Sequence, residues 1–413
     1  MTDTQNIKIA VVGGGAAGMM AAGTAAMYGA DVTLFEGTGR LGKKLAITGK
    51  GRCNVTNQCT VEKFLENVTK NPRFLYSALN SFDTDSTIAH FENLGVTLKC
   101  ERGQRVFPES DRAQDIVNAM RTYCDGADII YEKVKSIKKN ENETFTVVTQ
   151  QNKDYSFDRV ILATGGKSYP LTGSDGSGYR LAMKLGHSVT RLIPSLVPIE
   201  SNSLLCKDMQ GLSLKNIAVT FKDKDGKSHY SDFGEMMFTH FGVTGPVILS
   251  ASAHLRDADL SEVTLYIDLK PALDESMLDT RLLSDFSSKS NKDFINALSM
   301  LLPAKMIEPF VKSTGIDERK KVNLITKEER KRILTLLKSF PIPLTQFRPI
   351  EEAIITSGGI DVKEISPKDM QSKIIPGLYF AGEIIDVDAY TGGFNLQIAF
   401  STGYLAGKNA AEY

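Results

Sequence analysis

The stretch IKIAVVGGGAAGMMAAGTAAMYGADVTLFE (7–36) decides the fold. It opens on a short β-branched run, passes through three glycines, and continues as a small-residue helical pattern to about Gly29. DVTLFE (31–36) is a second β-branched run that ends in an acid. Strand, glycine turn, helix and strand in this order form the βαβ unit of a dinucleotide site, with Gly13-x-Gly15-x-x-Gly18 at the turn. Gly13 permits the tight turn. Gly15 lacks a Cβ, so a pyrophosphate can approach the helix N-terminus, where free N–H groups and the helix dipole favour an anion. Gly18 lets the helix close on the strand, and Ala16 and Ala17 complete the candidate phosphate-binding turn. Glu36 is placed to accept hydrogen bonds from an adenosine ribose, and its charge would repel a 2′-phosphate. A packing turn would explain the glycines but not Glu36.

Outward from this unit, 413 residues suggest two or three domains. A composition of 42% hydrophobic and 24% charged residues supports a sizeable core and excludes disorder, collagen and coiled coil. Lys+Arg and Asp+Glu each number 49, which disfavours a nucleic-acid partner held by phosphate neutralisation. Five cysteines are an odd count for a disulfide framework and read as reduced thiols of a cytoplasmic protein. Ile9 to Ala30 carries no charge over 22 residues, but it is mostly Gly and Ala, and the opening MTDTQNIK has no basic n-region. A soluble protein with a small-molecule substrate and no membrane partner is expected; its oligomeric state stays open.

The fingerprint alone does not separate NAD from FAD. A second glycine-rich loop follows at Gly37, Gly39, Gly42, Gly49 and Gly51, and Arg40, Lys43, Lys44, Lys50 and Arg52 fall among these glycines. A solvated basic loop would account for the charges, but their place after a nucleotide site favours phosphate or flavin contact. The segment 128–166 alternates like a β-meander with a turn at Asn140–Glu143, then ends in a buried run and Ala163-Thr164-Gly165. Near the other end, a short strand leads into Ala381-Gly382-Glu383, and Gly392-Gly393-Phe394-Asn395 opens a helix running to about Ala411. A helix N-terminus there would stabilise negative charge on a reduced flavin.

These elements together resemble the two-dinucleotide-binding-domain flavoproteins. GKGRCNVTN (49–57), FTHFGVTGP (238–246) and LYFAGEIIDVDAYTGGFNLQIAFSTG (378–403) resemble one narrower family, the aminoacetone-oxidase-like or bile-acid-reductase-like NAD(P)/FAD-dependent oxidoreductases. The resemblance spans essentially the whole chain. It implies FAD, bound non-covalently, with Glu36 at the ribose and Gly37, Arg40, Gly42, Lys43 and Lys44 along the stretch beyond it. It places Val134 at the adenine, Gly49, Gly51, Arg52, Cys53 and Asn54 along the ribityl chain and ring, and Gly382 and Glu383 near the ribityl or pyrophosphate. Gly393, Asn395, Leu396 and Gln397 would face the pyrimidine edge. The family often reads three glycines where this chain has Gly49-Lys50-Gly51, so Lys50 must point outward.

The expected fold is α/β: a Rossmann-like FAD-binding domain from both chain ends (1–190 and 355–413), an inserted β-rich domain (191–270) and a helical subdomain (271–354). An Asp225-Gly226 hairpin and a strand at 263–269 are expected in the insert, with helices at Ser276–Phe286, Asp293–Leu302 and Lys327–Phe340. Cys53-x5-Cys59 is spaced one residue wider than the redox pair of flavin disulfide reductases. Gly173-Ser174-Asp175-Gly176-Ser177-Gly178 lacks the strand and acid of a second nucleotide fingerprint. No histidine spacing suggests a metal site. His240 and Arg52 are the candidate catalytic residues. His240 could move a proton as hydride passes to or from the flavin, or it could simply shape its turn. The expected activity is hydride transfer between flavin and a small organic substrate. NAD(P)H would be a transient donor for an activated C=C, or O₂ the acceptor in an amine-oxidase-like reaction. The alternative is an RNA-associated or non-catalytic flavin-binding factor, with Arg319–Lys331 as a basic patch.

Overall fold

The computed structural model describes residues 6–412; residues 1–5, the opening of MTDTQNIK, and residue 413 lie outside them. The chain divides into two units, Met1–Pro194 with Ile350–Tyr413, and Ser195–Pro349.

The first unit begins with Lys8–Val12 (β1), Ala16–Met27 (α1) and Asp31–Phe35 (β2). The uncharged stretch Ile9–Ala30 is thus divided between strand, turn and helix, and no helix among the described residues is long and apolar enough to cross a membrane. Asp128–Ile130 (β3) pairs with β2, and Val134–Lys139 (β4), Phe145–Thr149 (β5) and Asp154–Phe157 (β6) form an antiparallel meander. Asn140 and Glu143 close its first turn, with Glu143 in the left-handed region at φ 64°. Arg159–Leu162 (β7) then returns to pair with β1.

In the second unit, Ile199–Glu200 (β8), Ser213–Asp223 (β9), Ser228–Phe238 (β10), Gly242–Thr244 (β11), Val263–Asp268 (β12) and Phe340–Pro343 (β13) form one antiparallel sheet. Its order is β8-β11-β10-β9-β12-β13. The β9–β10 hairpin turns at Asp225-Gly226, where the Asp223 carboxylate accepts the N–H groups of Asp225 and Lys227. Glu275–Ser288 (α2), Ala304–Thr314 (α3) and Lys327–Lys338 (α4) pack on this sheet. Val219, Phe221 and Leu265 share one buried cluster with Leu282, Phe310 and Ile333. The segments read as a β-rich domain and a helical subdomain therefore have a common core. β13 follows the last helix yet pairs with β12. Phe340 is strand, not helix, because the residue before Pro341 is pushed out of the α region. α3 was not expected from the sequence: Pro309 sits in its interior and removes one helical N–H.

The chain then re-enters the first unit as Leu378–Phe380 (β14) and Phe394–Ala411 (α5). β14 completes a five-stranded parallel sheet in the order β14-β7-β1-β2-β3. α1 is apolar nearly all round because it is covered on both sides, by the sheet and by α5. That sandwich needs small residues: a Cβ on Gly403 would lie 2.5 Å from the Ala17 carbonyl oxygen, and one on Gly407 2.4 Å from that of Ala21.

Gly407→Ala should therefore destabilise the protein by about 1–3 kcal/mol, through overpacking, although Gly→Ala normally strengthens a helix. A chemical-denaturation midpoint that rises instead would show that the two helices are not in backbone contact.

Candidate cofactor site

The turn after β1 is held by backbone contacts that leave no room for side chains. Gly13 has φ 110°, and a Cβ there would stand 2.6 Å from the Ala163 carbonyl oxygen. A Cβ on Gly18 would lie 1.7 Å from the Gly13 carbonyl oxygen, so Gly18 is what allows α1 to start where it does. Gly15 is different: a Cβ would meet nothing within 4 Å, so its bareness keeps the approach to the helix N-terminus open. Glu36 is 7% exposed, and its carboxylate accepts the Gly14 N–H at 2.9 Å and the Thr38 N–H at 2.6 Å. It fastens the turn to the end of β2 as well as facing the cavity.

A cavity of about 1010 Å³ opens in this unit above the carboxyl ends of the parallel strands. The structure brings together on its walls Gly13, Gly15, Ala16, Ala17, Glu36 and Gly37 from the first βαβ unit, and Lys43, Lys44, Gly49, Arg52 and Asn54 from the loop after it. Val134, Ala163, Thr164 and Gly165 add the ends of the meander and β7, and Glu383, Gly393, Asn395 and Leu396 add the C-terminal segment. The first α5 hydrogen bond runs from the Gln397 N–H to the Gly393 carbonyl. The N–H groups of Phe394, Asn395 and Leu396 thus have no helical partner at the cavity end of the helix. Gly393 makes this possible, since a Cβ there would stand 2.3 Å from the Thr56 carbonyl group. Glu383 accepts the Lys44 ammonium at 2.7 Å, the Ser168 hydroxyl at 3.1 Å and the Thr356 N–H at 2.9 Å.

Other expected residues stand elsewhere. Gly18, Gly42 and Gly382 lie behind the wall as backbone supports, and Gly51 stands exposed with nothing within 4 Å of where a Cβ would be. Arg40 turns away to the Gln114 side chain at 2.5 Å. Gln397 is fully buried: its Oε1 accepts the Thr56 hydroxyl at 2.6 Å, and its Nε2 donates to the carbonyls of Phe82 and Asp83. Its side chain ties α5 to the core and does not face the cavity. Cys53 is also fully buried with φ 60°, and burial pushes its thiol up to about 12, against a smaller opposing effect of the Thr48 hydroxyl. Arg52 lines the cavity with its guanidinium 4.2 Å from the Phe107 ring centre, held by Glu101 and Asp111. These partners push its pKa further above its ordinary range, so Arg52 is a fixed cation, not a proton donor. Lys50 is exposed with φ 59° and lies on the cavity wall beside Gly49 and Arg52. His240 belongs to the other unit, where it stands exposed in the turn between β10 and β11, edge-on to Phe241 at 5.1 Å.

Sequence reasoning missed Arg105, Phe107, Lys133, Ser174 and Asp175, all on the cavity wall. Arg105 and Phe107 sit on a short strand, Arg105–Pro108, that carries no motif. The glycine-rich segment from Gly173 to Gly178 did carry a signal. Gly173 and Gly176 adopt φ 102° and 76° and bend the chain along the cavity. Burial opposes ionisation of Asp175, but Lys133 and the Ser177 N–H outweigh it and hold the carboxyl at about 2.

Three buried polar atoms on residues of this wall, Asn54 Oδ1, Thr164 Oγ1 and Ser174 Oγ, have no hydrogen-bond partner among the described residues. Such atoms are costly unless something completes them. An elongated cofactor with a pyrophosphate for the N-terminus of α1, a ring that gains negative charge for that of α5, and polar groups for these three atoms does so. The residues therefore fit FAD. Another constellation does not mark a site: His187 bridges Glu364 at 3.1 Å and Ser372 at 2.9 Å, but Ser372 is buried and already accepts the N–H groups of Ile374 and Ile375. It is a clasp between turns.

The comparisons with known proteins agree with this geometry. The 3-ketosteroid delta1-dehydrogenase of Sterolibacterium denitrificans, solved with 1,4-androstadiene-3,17-dione, shares the fold, with a TM-score of 0.52 over 99% of this chain and 100% of that one at 13% identity. The 3-dehydro-bile acid delta(4,6)-reductase of Clostridium scindens is 28% identical over 98% of this chain and 99% of its own length. The ribosomal RNA dihydrouridine synthase of Haemophilus influenzae is 31% identical over 95% and 96%. Fold and site define an FAD-binding Rossmann oxidoreductase. The model for the HI0933-like protein Rossmann domain matches residues 7–409, and the chain belongs to that family.

Burial sets a thiol order that can be checked. At pH 8 iodoacetamide should modify exposed Cys100 in the native protein, and Cys53 and Cys124 only after unfolding. Rapid native alkylation of Cys53, read by peptide mass spectrometry, would mean that the 49–54 turn opens to solvent.

Proposed function

We propose that this protein is an FAD-dependent reductase of a carbon–carbon double bond conjugated to a carbonyl, with a reduced nicotinamide dinucleotide as electron donor. The observation that carries the reading is the N-terminus of α5, whose free N–H groups at Phe394–Leu396 end at the cavity. A helix end there stabilises the negative charge that accumulates on reduction. The Clostridium scindens relative, named as a delta(4,6)-reductase of a 3-dehydro-bile acid, supports the reaction class.

Bound FAD would supply the two-electron chemistry, accepting a hydride from the donor and passing one to the substrate. The chain's own groups do the rest. Glu36 holds the adenosine ribose, and the bare turn at Gly13–Gly15 admits the pyrophosphate. Asn54, Thr164 and Ser174 complete the hydrogen bonds that fix the cofactor's orientation. Glu383, neutralised by Lys44, offers a settled charge near the ribityl chain. Arg52, immobilised over Phe107, contributes a fixed positive charge. His240 is the sequence's candidate for the proton that must follow the hydride, and substitution tests it.

Anaerobic titration with NADH and NADPH should bleach the flavin absorbance, and adding a 3-oxo-Δ4 steroid or a uridine-containing ribosomal RNA should restore it. The acceptor that restores it names the substrate class. Bleaching that only O₂ reverses would turn the reading to an oxidase, and bleaching by neither dinucleotide would remove the proposed donor. His240→Gln should keep its flavin and lose about 10²- to 10⁴-fold in turnover, the usual range for a general acid. Unchanged turnover would confine His240 to shaping its turn.

A further inference from the structure

Most cations on the wall of the cofactor cavity are already engaged. Lys44 is paired with Glu383, Lys133 with Asp175, and Arg52 with Glu101 and Asp111, while Lys43 donates to the Leu171 carbonyl at 3.4 Å. Lys50 and Arg105 have no carboxylate within hydrogen-bond distance among the described residues. The two are mounted differently. Lys50 is exposed in the strained turn at 49–53. Arg105 opens the strand Arg105–Pro108, the middle one of three, with Thr56–Asn57 on one side and Leu98–Glu101 on the other. A strand in the middle of a sheet holds its side chains more precisely than a loop does.

The base of the Arg105 guanidinium is fixed and its tip is not. Nε donates to the Arg102 carbonyl at 3.0 Å, the group lies 5.8 Å from the Phe107 ring centre, and the Glu101 carboxylate stands 4.0 Å away. Around Phe107, three cations (Lys99, Arg52 and Arg105) thus meet two carboxylates, Glu101 and Asp111, and the surplus positive charge rests on Arg105. The same sheet carries the start of α5. Asn57, the register partner of Arg105, donates through Nδ2 to the Gly392 carbonyl at 3.1 Å, and a Cβ on Gly393 would stand 2.3 Å from the Thr56 carbonyl group. The free N–H groups of Phe394–Leu396 and the Arg105 guanidinium are therefore fixed at one end of the cavity through the strand Thr56–Asn57. The helix end meets the charge gained by the ring, which leaves the guanidinium for another anionic atom.

We propose that Arg105 binds the carbonyl oxygen of the substrate and stabilises the negative charge that gathers on it. The proposal rests on the reading above that a double bond conjugated to a carbonyl is reduced. Hydride arriving at the β-carbon breaks the C=C π bond, and that electron pair moves through the α-carbon to the carbonyl oxygen, giving an enolate. A proton then joins the α-carbon and the carbonyl re-forms. Full negative charge sits on the oxygen only between these two steps, so a cation fixed there favours the transition state over the bound substrate. Arginine suits the task, because it stays protonated and offers its terminal N–H groups as a planar fork. Arg52 could serve only by giving up its ion pairs.

The test reads binding without turnover. Para-chlorophenol, whose ionised oxygen imitates an enolate, is titrated into the oxidised, FAD-loaded protein, where a phenolate stacked on the flavin gives a long-wavelength absorbance band. Para-chloroanisole, the same ring with no ionisable hydroxyl, is the control. The phenol should bind with that band, more tightly as rising pH ionises it, and the anisole should bind about tenfold or more weakly. Arg105→Met should weaken the phenolate about tenfold or more, the usual loss for a hydrogen bond to a charged group. If Arg105→Met loses its flavin, Arg105→Gln, which keeps a side-chain donor but no charge, decides the question in the same way. Equal binding of phenol and anisole by wild-type protein overturns the proposal. So does unchanged phenolate affinity in a variant that keeps its flavin; a lowered flavin potential in that variant would show Arg105 serving the cofactor instead. Failure of the reductase reading looks different: if the phenolate band depends on Arg105 but no enone reoxidises the reduced flavin, the anion site at Arg105 stands and the double-bond reading falls.

Discussion

Backbone meeting backbone around α1 is the constraint on which the first unit depends. At its N-terminal end the helix touches the strand turn through Gly18 and the Gly13 carbonyl oxygen, and along its length it touches α5 through Gly403 and Gly407. These contacts leave no space for a methyl group. Because α1 cannot move outward, its N-terminus is held against the turn after β1, and because α5 is locked to α1, the N-terminus of α5 is held as well. Two helix ends with unsatisfied N–H groups are thereby carried to one cavity by the same packing. The cofactor site is a consequence of how closely the helices pack.

Fixed dipoles suit this chemistry better than mobile cations. A lysine or arginine placed against a phosphate must give up hydration and side-chain freedom, whereas backbone N–H groups at a helix end are already oriented. The structure treats its cations accordingly. Lys44 is neutralised by Glu383, Lys133 by Asp175, and Arg52 by Glu101 and Asp111. The positive ends of the two helices then act on a largely compensated background. The wall itself keeps a modest excess of cations, Lys43, Lys44, Lys50, Arg52, Arg105 and Lys133 against Glu36, Glu132, Asp175 and Glu383.

Much of this was legible in the sequence because glycine has few reasons to recur at fixed spacing beside a β-branched run. Gly13, Gly15, Gly18 and Glu36 stand where the βαβ reading puts them, and the insertion between the two nucleotide-binding halves followed from elements at both chain ends. Side-chain direction was not legible. Gln397 falls within a motif, one helical turn from Gly393, yet its amide is drawn inward by Thr56 and the carbonyls of Phe82 and Asp83. These residues lie more than 300 positions away in sequence, and no local pattern announces them. The basic cluster at 40–52 was legible in part: Lys43, Lys44, Lys50 and Arg52 line the cavity, while Arg40 is drawn away to Gln114 and Arg52 is paired with Glu101 and Asp111, partners that only the tertiary fold supplies. α3 was hidden by Pro309, whose lost hydrogen bond is outweighed by burial of Met306, Phe310 and Val311.

The strained turn at 49–53 ties these threads together. Gly49, Lys50, Gly51 and Cys53 all lie at positive φ, a conformation costly for the lysine and the cysteine. The Cys53 thiol is sealed in the core, so reactivity does not explain the turn. What the turn accomplishes is placement: it puts Lys50 on the cavity wall, brings Asn54 to that wall with its Oδ1 unpaired, and lays Arg52 over Phe107. A relaxed loop could not do all three within five residues. The strain is offset by the buried Cys53 and Val55 that anchor the loop, and it leaves a polar atom that a bound cofactor completes. Local backbone cost, core packing and cofactor recognition are thus one bargain struck in a single turn.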